Sequence, residues 1–176
     1  MSKQLLFCVE ANKDSRSDWV YIEETIKHNF LITPDISIKP IFMNGKTNYN
    51  KPKVTREIKS KTSQFRKNGS TTVIYCIDTD KYDIDPDRAR ELDEIQEYCN
   101  KHNYELVWFC RDIEEVYWGK HAAHSEKLTL ARQFKSTSRI EKIDDNLLKT
   151  DSLHRKRSNI LSVLNGLLSS DQCNRK

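Results

Sequence analysis

The apolar positions of this chain fall into two patterns. Short unbroken runs, LLFCV within residues 4–10, VIYCI within 71–80 and LVWFC within 104–110, lack the alternation of a half-exposed strand and are too short for independent helices. They predict strands covered on both faces, as in a parallel sheet. A fourth strand is predicted around Ile36, Ile38, Ile41 and Phe42, and Pro40 within it requires a sheet edge, because proline donates no ladder hydrogen bond.

Between these runs the apolar residues recur at helical spacing. Trp19, Ile22 and Ile26 mark one helix, which Ser17 or Asp18 could cap; Val54, Ile58 and Phe65 mark a second over 54–67, stopped by Asn68 and Gly69. Leu92, Ile95 and Cys99 mark a third, with Pro86 in its first turn. Residues 114–134 read as helical with a break near Gly119, followed by a polar loop at 135–139. A last helix over 158–168 carries Ile160, Leu161, Leu164, Leu167 and Leu168 on one side, where it either packs on the sheet or forms a homodimer face. Strand and helix alternate, which predicts an α/β fold with a mostly parallel central sheet of about four strands flanked by helices.

At 176 residues one domain is expected, with a core over 1–120 and a helical C-terminal extension over 121–176. Charged residues make up 32% and mean hydropathy is -0.78, so no segment is expected to enter a membrane. The opening MSKQLLFCVE lacks the apolar core of a signal peptide, and a cytoplasmic location is expected. Cys8, Cys76, Cys99, Cys110 and Cys173 form no CxxC pair, which argues against a zinc site or a disulfide framework.

Charge changes the picture more than composition does. Residues 39–67 hold nine Lys or Arg against the single acid Glu57, residues 78–97 hold nine acids against three bases, and 120–176 hold twelve bases against six acids. An acidic centre between basic flanks suits a metal site acting on a polyanion, and it also suits a solvated surface of uneven charge.

The acids have a position as well as a number. Glu10, Asp78 with Asp80, and Glu114 or its neighbour Glu115 follow three predicted strands, whose ends share one edge in a parallel sheet. Crowding carboxylates is costly unless a cation sits between them, and an all-oxygen set suits Mg2+ or Mn2+. Simpler readings accompany each acid. Glu10 could end a strand at solvent, Asp80 could be a turn residue, and Asp83, Asp85 and Asp87 suit a loop and a helix start. His121 and His124, at i and i+3, could face one way on a helix as ligands or phosphate contacts. Arg155, Lys156 and Arg157 read as a solvated helix face, and Trp19, Trp108 and Trp118 as core.

The segments VEANKD at 9–14, IDTD at 77–80 and DIEEVYW at 112–118 resemble the motifs of the Toprim family, which occurs in topoisomerases, bacterial primases, OLD-type nucleases and RloB-like proteins. The resemblance implies a metal-dependent nuclease cleaving RNA, with tRNA among the candidates, or DNA, as the effector of a bacterial anti-phage system. It implies metal ligation by Glu10, Asp78, Asp80 and Glu114, proton transfer by Glu10, and a phosphate contact from Lys120. The basic residues of 46–67 and of the C-terminal third would bind the strand. Where the family has glycine after the first glutamate this chain has Ala11, whose methyl narrows the backbone approach to phosphate. That departure supports the alternative implied by the same resemblance, a non-catalytic subunit that binds nucleic acid or an ATPase partner.

Overall fold

The computed structural model describes residues 2–168. Four strands, β1 (Ser2–Val9), β2 (Ile36–Phe42), β3 (Gly69–Asp78) and β4 (Glu105–Phe109), form one sheet in the order β2-β1-β3-β4, and every neighbouring pair is parallel. The expected α/β class is thus what the chain adopts. Helices α1 (Ser17–Asn29), α2 (Pro52–Phe65) and α3 (Pro86–His102) make the three crossovers, and α4 (Ile113–Trp118), α5 (Lys127–Ser136) and α6 (Ile160–Leu168) follow β4.

The unbroken apolar runs are explained by two cores. Leu5, Phe7, Val9, Ile74, Cys76, Val107 and Phe109 face a layer built by α1, α4, α5 and α6. Their alternating neighbours Leu6, Cys8, Val73, Tyr75, Ile77 and Leu106 face α2 and α3. Each fully buried Leu, Ile or Phe contributes roughly 2 kcal/mol through removal from water. Residues of α5 and α6, Phe134 and Leu164 among them, are part of the first core together with β1, so the C-terminal segment is built into the sheet packing.

Local chemistry sets the boundaries. Asp85 caps α3 by accepting from the amides of Asp87 and Arg88, ahead of Pro86, and Asn103 ends the helix in the left-handed conformation. Gly69, expected to stop α2, instead opens β3. A Cβ there would lie 1.6 Å from the Ser2 carbonyl oxygen, so only glycine fits beside β1. Neither Ser17 nor Asp18 caps α1, because Arg16 occupies the cap position and the Asp18 carboxylate accepts the Ala11 amide at 2.8 Å instead. The helix expected over 114–134 is two helices: Gly119, at φ 76, ends α4, and residues 119–126 are non-helical.

Pro40 lies on the edge strand β2, opposite Phe7. The other edge is covered where Asn159 accepts the Trp108 amide and donates to the Leu106 carbonyl. Cys8, Cys76, Cys99 and Cys110 are buried free thiols, and Cys173 lies outside the described residues. Trp19 and Trp108 are buried, and Trp118 packs on the first core under the Arg139 guanidinium. Among the described residues no helix is long and apolar enough to cross a membrane.

Candidate functional site

The chain leaves β1 toward β2 on one side and returns to β3 on the other, so the direction of winding reverses between β1 and β3. In open α/β sheets this reversal opens a crevice at the carboxyl ends of the two strands. Glu10 and Asp78 stand there. The Glu10 carboxylate accepts the Asp78 amide at 2.7 Å, joining the two strand ends. Asp78 Oδ1 in turn accepts the Ile113 amide at 2.9 Å, which anchors the start of α4 to β3.

That anchor gives Glu114 and Glu115 different surroundings. Glu114 is fully buried behind Asp78, and its Oε2 lies 3.1 Å from the Lys127 ammonium, which is also 3.6 Å from Asp78 Oδ2. Oε1 of Glu114 has no hydrogen-bond partner among the described residues. Glu115 instead lines the larger of the two clefts described below, beside Asp78 and Asp80, where its Oε1 accepts from Arg155 Nε and a terminal nitrogen at 2.9 and 2.6 Å, whereas Glu114 lines neither cleft.

Asp80 falls just beyond β3 at φ 51, a left-handed turn that aspartate tolerates better than most residues. Its carboxylate pairs with Lys46 Nζ at 2.6 Å, and Lys46 also donates to the Asp78 carbonyl at 3.0 Å and lies 3.2 Å from Glu91. Lys46, read from sequence as part of a basic strand-binding segment, is therefore buried inside the acidic centre. Lys120 is exposed on the bend after α4 and lines neither of the clefts described below. The cations in contact with Asp78, Asp80 and Glu114 are Lys46 and Lys127, and Asp18, read from sequence only as a possible helix cap, is a further acid of the cluster.

Burial pushes the Glu10 carboxyl up to about 8, against an opposing pull from Lys46, and pushes Glu114 up to about 7, opposed by Lys127. Burial and then the charge of Glu10 raise Asp78 well above the carboxylate range, and burial raises Asp18. Desolvation opposes the charge on Lys127, but Asp78, Glu114 and Asp18 outweigh it and hold the ammonium protonated.

Two clefts meet at this cluster. The larger, about 640 Å3, is lined by Asp78, Asp80 and Lys127 together with Lys81, Arg111 and Arg155. The smaller, about 310 Å3, is lined by Glu10, Ala11, Asp18, Asp78 and Lys127 among others. Asp78 and Lys127 form the wall between them.

No protein-family model matches the sequence, and no curated protein or solved structure matches it. The chemistry of the crevice therefore carries the functional reading.

The two histidines do not share a helix face. They lie in the non-helical connector between α4 and α5, His121 lining the larger cleft and His124 the smaller. His121 Nδ1 is bound to Asp112 Oδ2, while Asp112 Oδ1 caps α4 on the Glu115 amide at 2.7 Å. The Arg155–Arg157 cluster is not on a helix either. Residues 155–156 form a turn, Arg155 lines the larger cleft, and the Arg157 carbonyl accepts the Cys110 amide. Among the described residues, no group of three or more His, Cys, Asp or Glu side chains is disposed to hold a metal ion. In this arrangement the gaps between carboxylates are filled by the two lysines.

Proposed function

We propose that this protein is a metal-dependent nuclease that hydrolyses phosphodiester bonds in RNA, tRNA among the candidates, or in DNA. One observation carries the reading. Glu10 and Asp78 meet at the strand-end crevice, and Glu114, joined to Asp78 through Lys127, keeps a buried oxygen without a hydrogen-bond partner among the described residues. A buried unpaired carboxylate oxygen is costly, and sites of this kind are kept for chemistry more often than for stability.

The donor set suits Mg2+ or Mn2+ in kind, being all oxygen. It also suits such an ion in charge. Glu10, Asp18, Asp78, Asp80, Glu91 and Glu114 outnumber the ammonium groups of Lys46 and Lys127 and the Arg88 guanidinium that meet them. As they stand these acids are not disposed to hold an ion; Asp78, Asp80, Glu114 and Glu10 would hold one only after Lys46 and Lys127 withdrew from between them, and the ion would then supply polarisation of the phosphoryl oxygens and a lower pKa for a water. Glu10, which burial makes more basic than an ordinary glutamate, would in its ionised form take a proton from the attacking water. Lys81, Arg88, Arg111 and Arg155 give the larger cleft cationic groups that would hold the phosphates on either side of the scissile one. A role as the effector of an anti-phage system is part of this proposal and rests on the resemblance of the three motifs.

A second reading is favoured by specific contacts. Lys127 and Lys46 already compensate the acids, and the Ala11 amide, the backbone donor next to Glu10, is taken by Asp18. Such a site suits a non-catalytic subunit that binds nucleic acid or an ATPase partner. Incubating the purified protein with tRNA, single-stranded RNA and DNA in Mg2+ or Mn2+ separates the two. Cutting that requires metal and disappears in Asp78→Ala supports the nuclease. Binding without cutting, unchanged in Asp78→Ala, supports the subunit.

A further inference from the structure

Lys81, Arg88, Arg111 and Arg155 serve the carboxyl end of the sheet. A separate cleft of about 520 Å3 lies toward the other end, between the last turns of α2 and α3, where Lys59, Thr62, Ser63, His102, Asn103 and Tyr104 line it. Thr71, which also lines it, precedes Asp78 along β3 by about 23 Å at the rise of an extended chain. We propose that this cleft receives a base of a single-stranded nucleic acid whose backbone follows α2. The identity of the polymer rests on the nuclease reading, and the site itself shares no residue with the crevice.

The rings of the cleft are held from the core outward. Tyr75 is fully buried, and its hydroxyl donates to the Tyr49 carbonyl at 2.8 Å. Tyr104 stacks with Tyr75, their planes 21° apart, and His102 stacks with Tyr104 at 24°. Nδ1 of His102 donates to the Tyr98 carbonyl at 2.8 Å, which fixes this exposed ring at the rim. A base that meets rings already in place pays little to order them. Beside them the side chains of Thr62, Ser63 and Asn103 have no hydrogen-bond partner among the described residues, which suits the polar edge of a base.

Charge points to a polyanion. Lys53, Arg56 and Lys59 recur every three residues on α2, all exposed and without an ion pair among the described residues, and Arg66 and Lys67 follow in the same state. The one acid of α2, Glu57, pairs with Lys61 at 3.5 Å. The helix is about 21 Å long and follows β2, so its cations lead from the carboxyl end of the sheet to the cleft. Rings that take bases beside cations that take phosphates are the combination that holds a single strand. A duplex, with its bases stacked on one another, offers this surface its phosphates alone.

The test measures binding by the full chain in EDTA, where nothing is cut. His102→Ala and Tyr104→Leu are each expected to weaken binding of oligo(U) or oligo(dT) of about 15 nucleotides by about 10-fold and to leave binding of polyphosphate, a polyanion without bases, unchanged. Equal losses on both kinds of ligand, no loss on the oligonucleotides, or no wild-type binding of either oligonucleotide overturn the inference. Lys59→Ala is expected to lower the salt slope of oligonucleotide binding by about one, and an unchanged slope overturns the path along α2. Because Tyr104 packs on Tyr75, a second readout uses the wild type: an oligonucleotide carrying 5-iodouracil is expected to crosslink to Tyr104 or His102 on irradiation, and adducts confined to other residues overturn the inference. Metal-dependent cutting by a protein whose ring variants bind like the wild type removes this site and leaves the nuclease reading standing. The expected losses in a protein that never cuts with Mg2+ or Mn2+ keep the site and remove the nuclease reading.

Discussion

Lys127 Nζ stands 3.1 Å from Glu114 Oε2 at the first residue of α5, so the cation that the strand-end acids require is supplied within the chain by a lysine. The pair is buried on the carboxylate side and largely buried on the lysine side. Removing one partner of such a pair strands the other. Lys127→Met should lower unfolding stability by about 3 kcal/mol at pH 8. In urea titrations the loss should shrink at pH 5, where Glu114 is neutral without help. An equal loss at both values would mean that the lysine acts through packing.

The same lysine should compete with a divalent ion. If Asp78 and Glu114 hold Mn2+, the ion must displace the ammonium between them. Lys127→Met should then bind Mn2+ at least about 10-fold more tightly than the wild type, read by electron paramagnetic resonance, and gain more thermal stability on adding Mn2+. Equal affinities would place the ion elsewhere.

Stability should fall as pH rises. Glu10 and Glu114 titrate at about 8 and about 7 in the fold, above the ordinary glutamate value of 4.5. Between those limits the folded chain binds more protons than the unfolded one, so each unit of pH favours unfolding. The contribution is fully present below pH 4.5 and is lost as pH passes through about 7 and about 8. Melting temperatures in metal-free buffer from pH 5 to 9 should decline across this window, and saturating Mg2+ should flatten the decline. A melting temperature that rises from pH 5 to 8 would contradict the burial of these carboxyls.

Asp78→Asn should separate stability from function. The amide oxygen can still accept the Ile113 amide while the buried charge disappears, so the variant should be at least as stable as the wild type at pH 8. Metal-dependent cutting should be lost. Retained cutting would remove Asp78 from the chemistry.

Arg155 is more than half exposed and pairs with Glu115 at the rim of the larger cleft. Because it leaves the buried Glu115 carboxylate without its partner, Arg155→Ala should lower stability by about 2 kcal/mol. It should weaken nucleic-acid binding alike for all sequences, with a salt slope smaller by about one. An unchanged slope would take the arginine out of the phosphate path.

The sequence alone determined the sheet and the position of its acids. Five unbroken apolar residues in β1 and in β3 have no solvated face, so they require layers on both sides, and Pro40 can only sit at an edge. Carboxylates that follow such runs must gather at one end of a parallel sheet, which is why Glu10, Asp78 and the residues after β4 were legible as one site. Asp85 and Pro86 likewise marked the start of α3 through local hydrogen bonding.

Which cations meet those acids was decided only in three dimensions. Lys46, Lys120 and Lys127 look alike in a string of letters, since a lysine's burial depends on the loop that carries it. The break after Gly119 starts α5 at Lys127 and leaves Lys120 in solvent. Glu114 and Glu115 could not be told apart until the Ile113 amide bound Asp78 and fixed the rotation of α4, which buries Glu114 beside Lys127 and places Glu115 in the larger cleft. Asp18, Asp112, His121 and Arg155 joined the crevice through non-local contacts that no periodicity records.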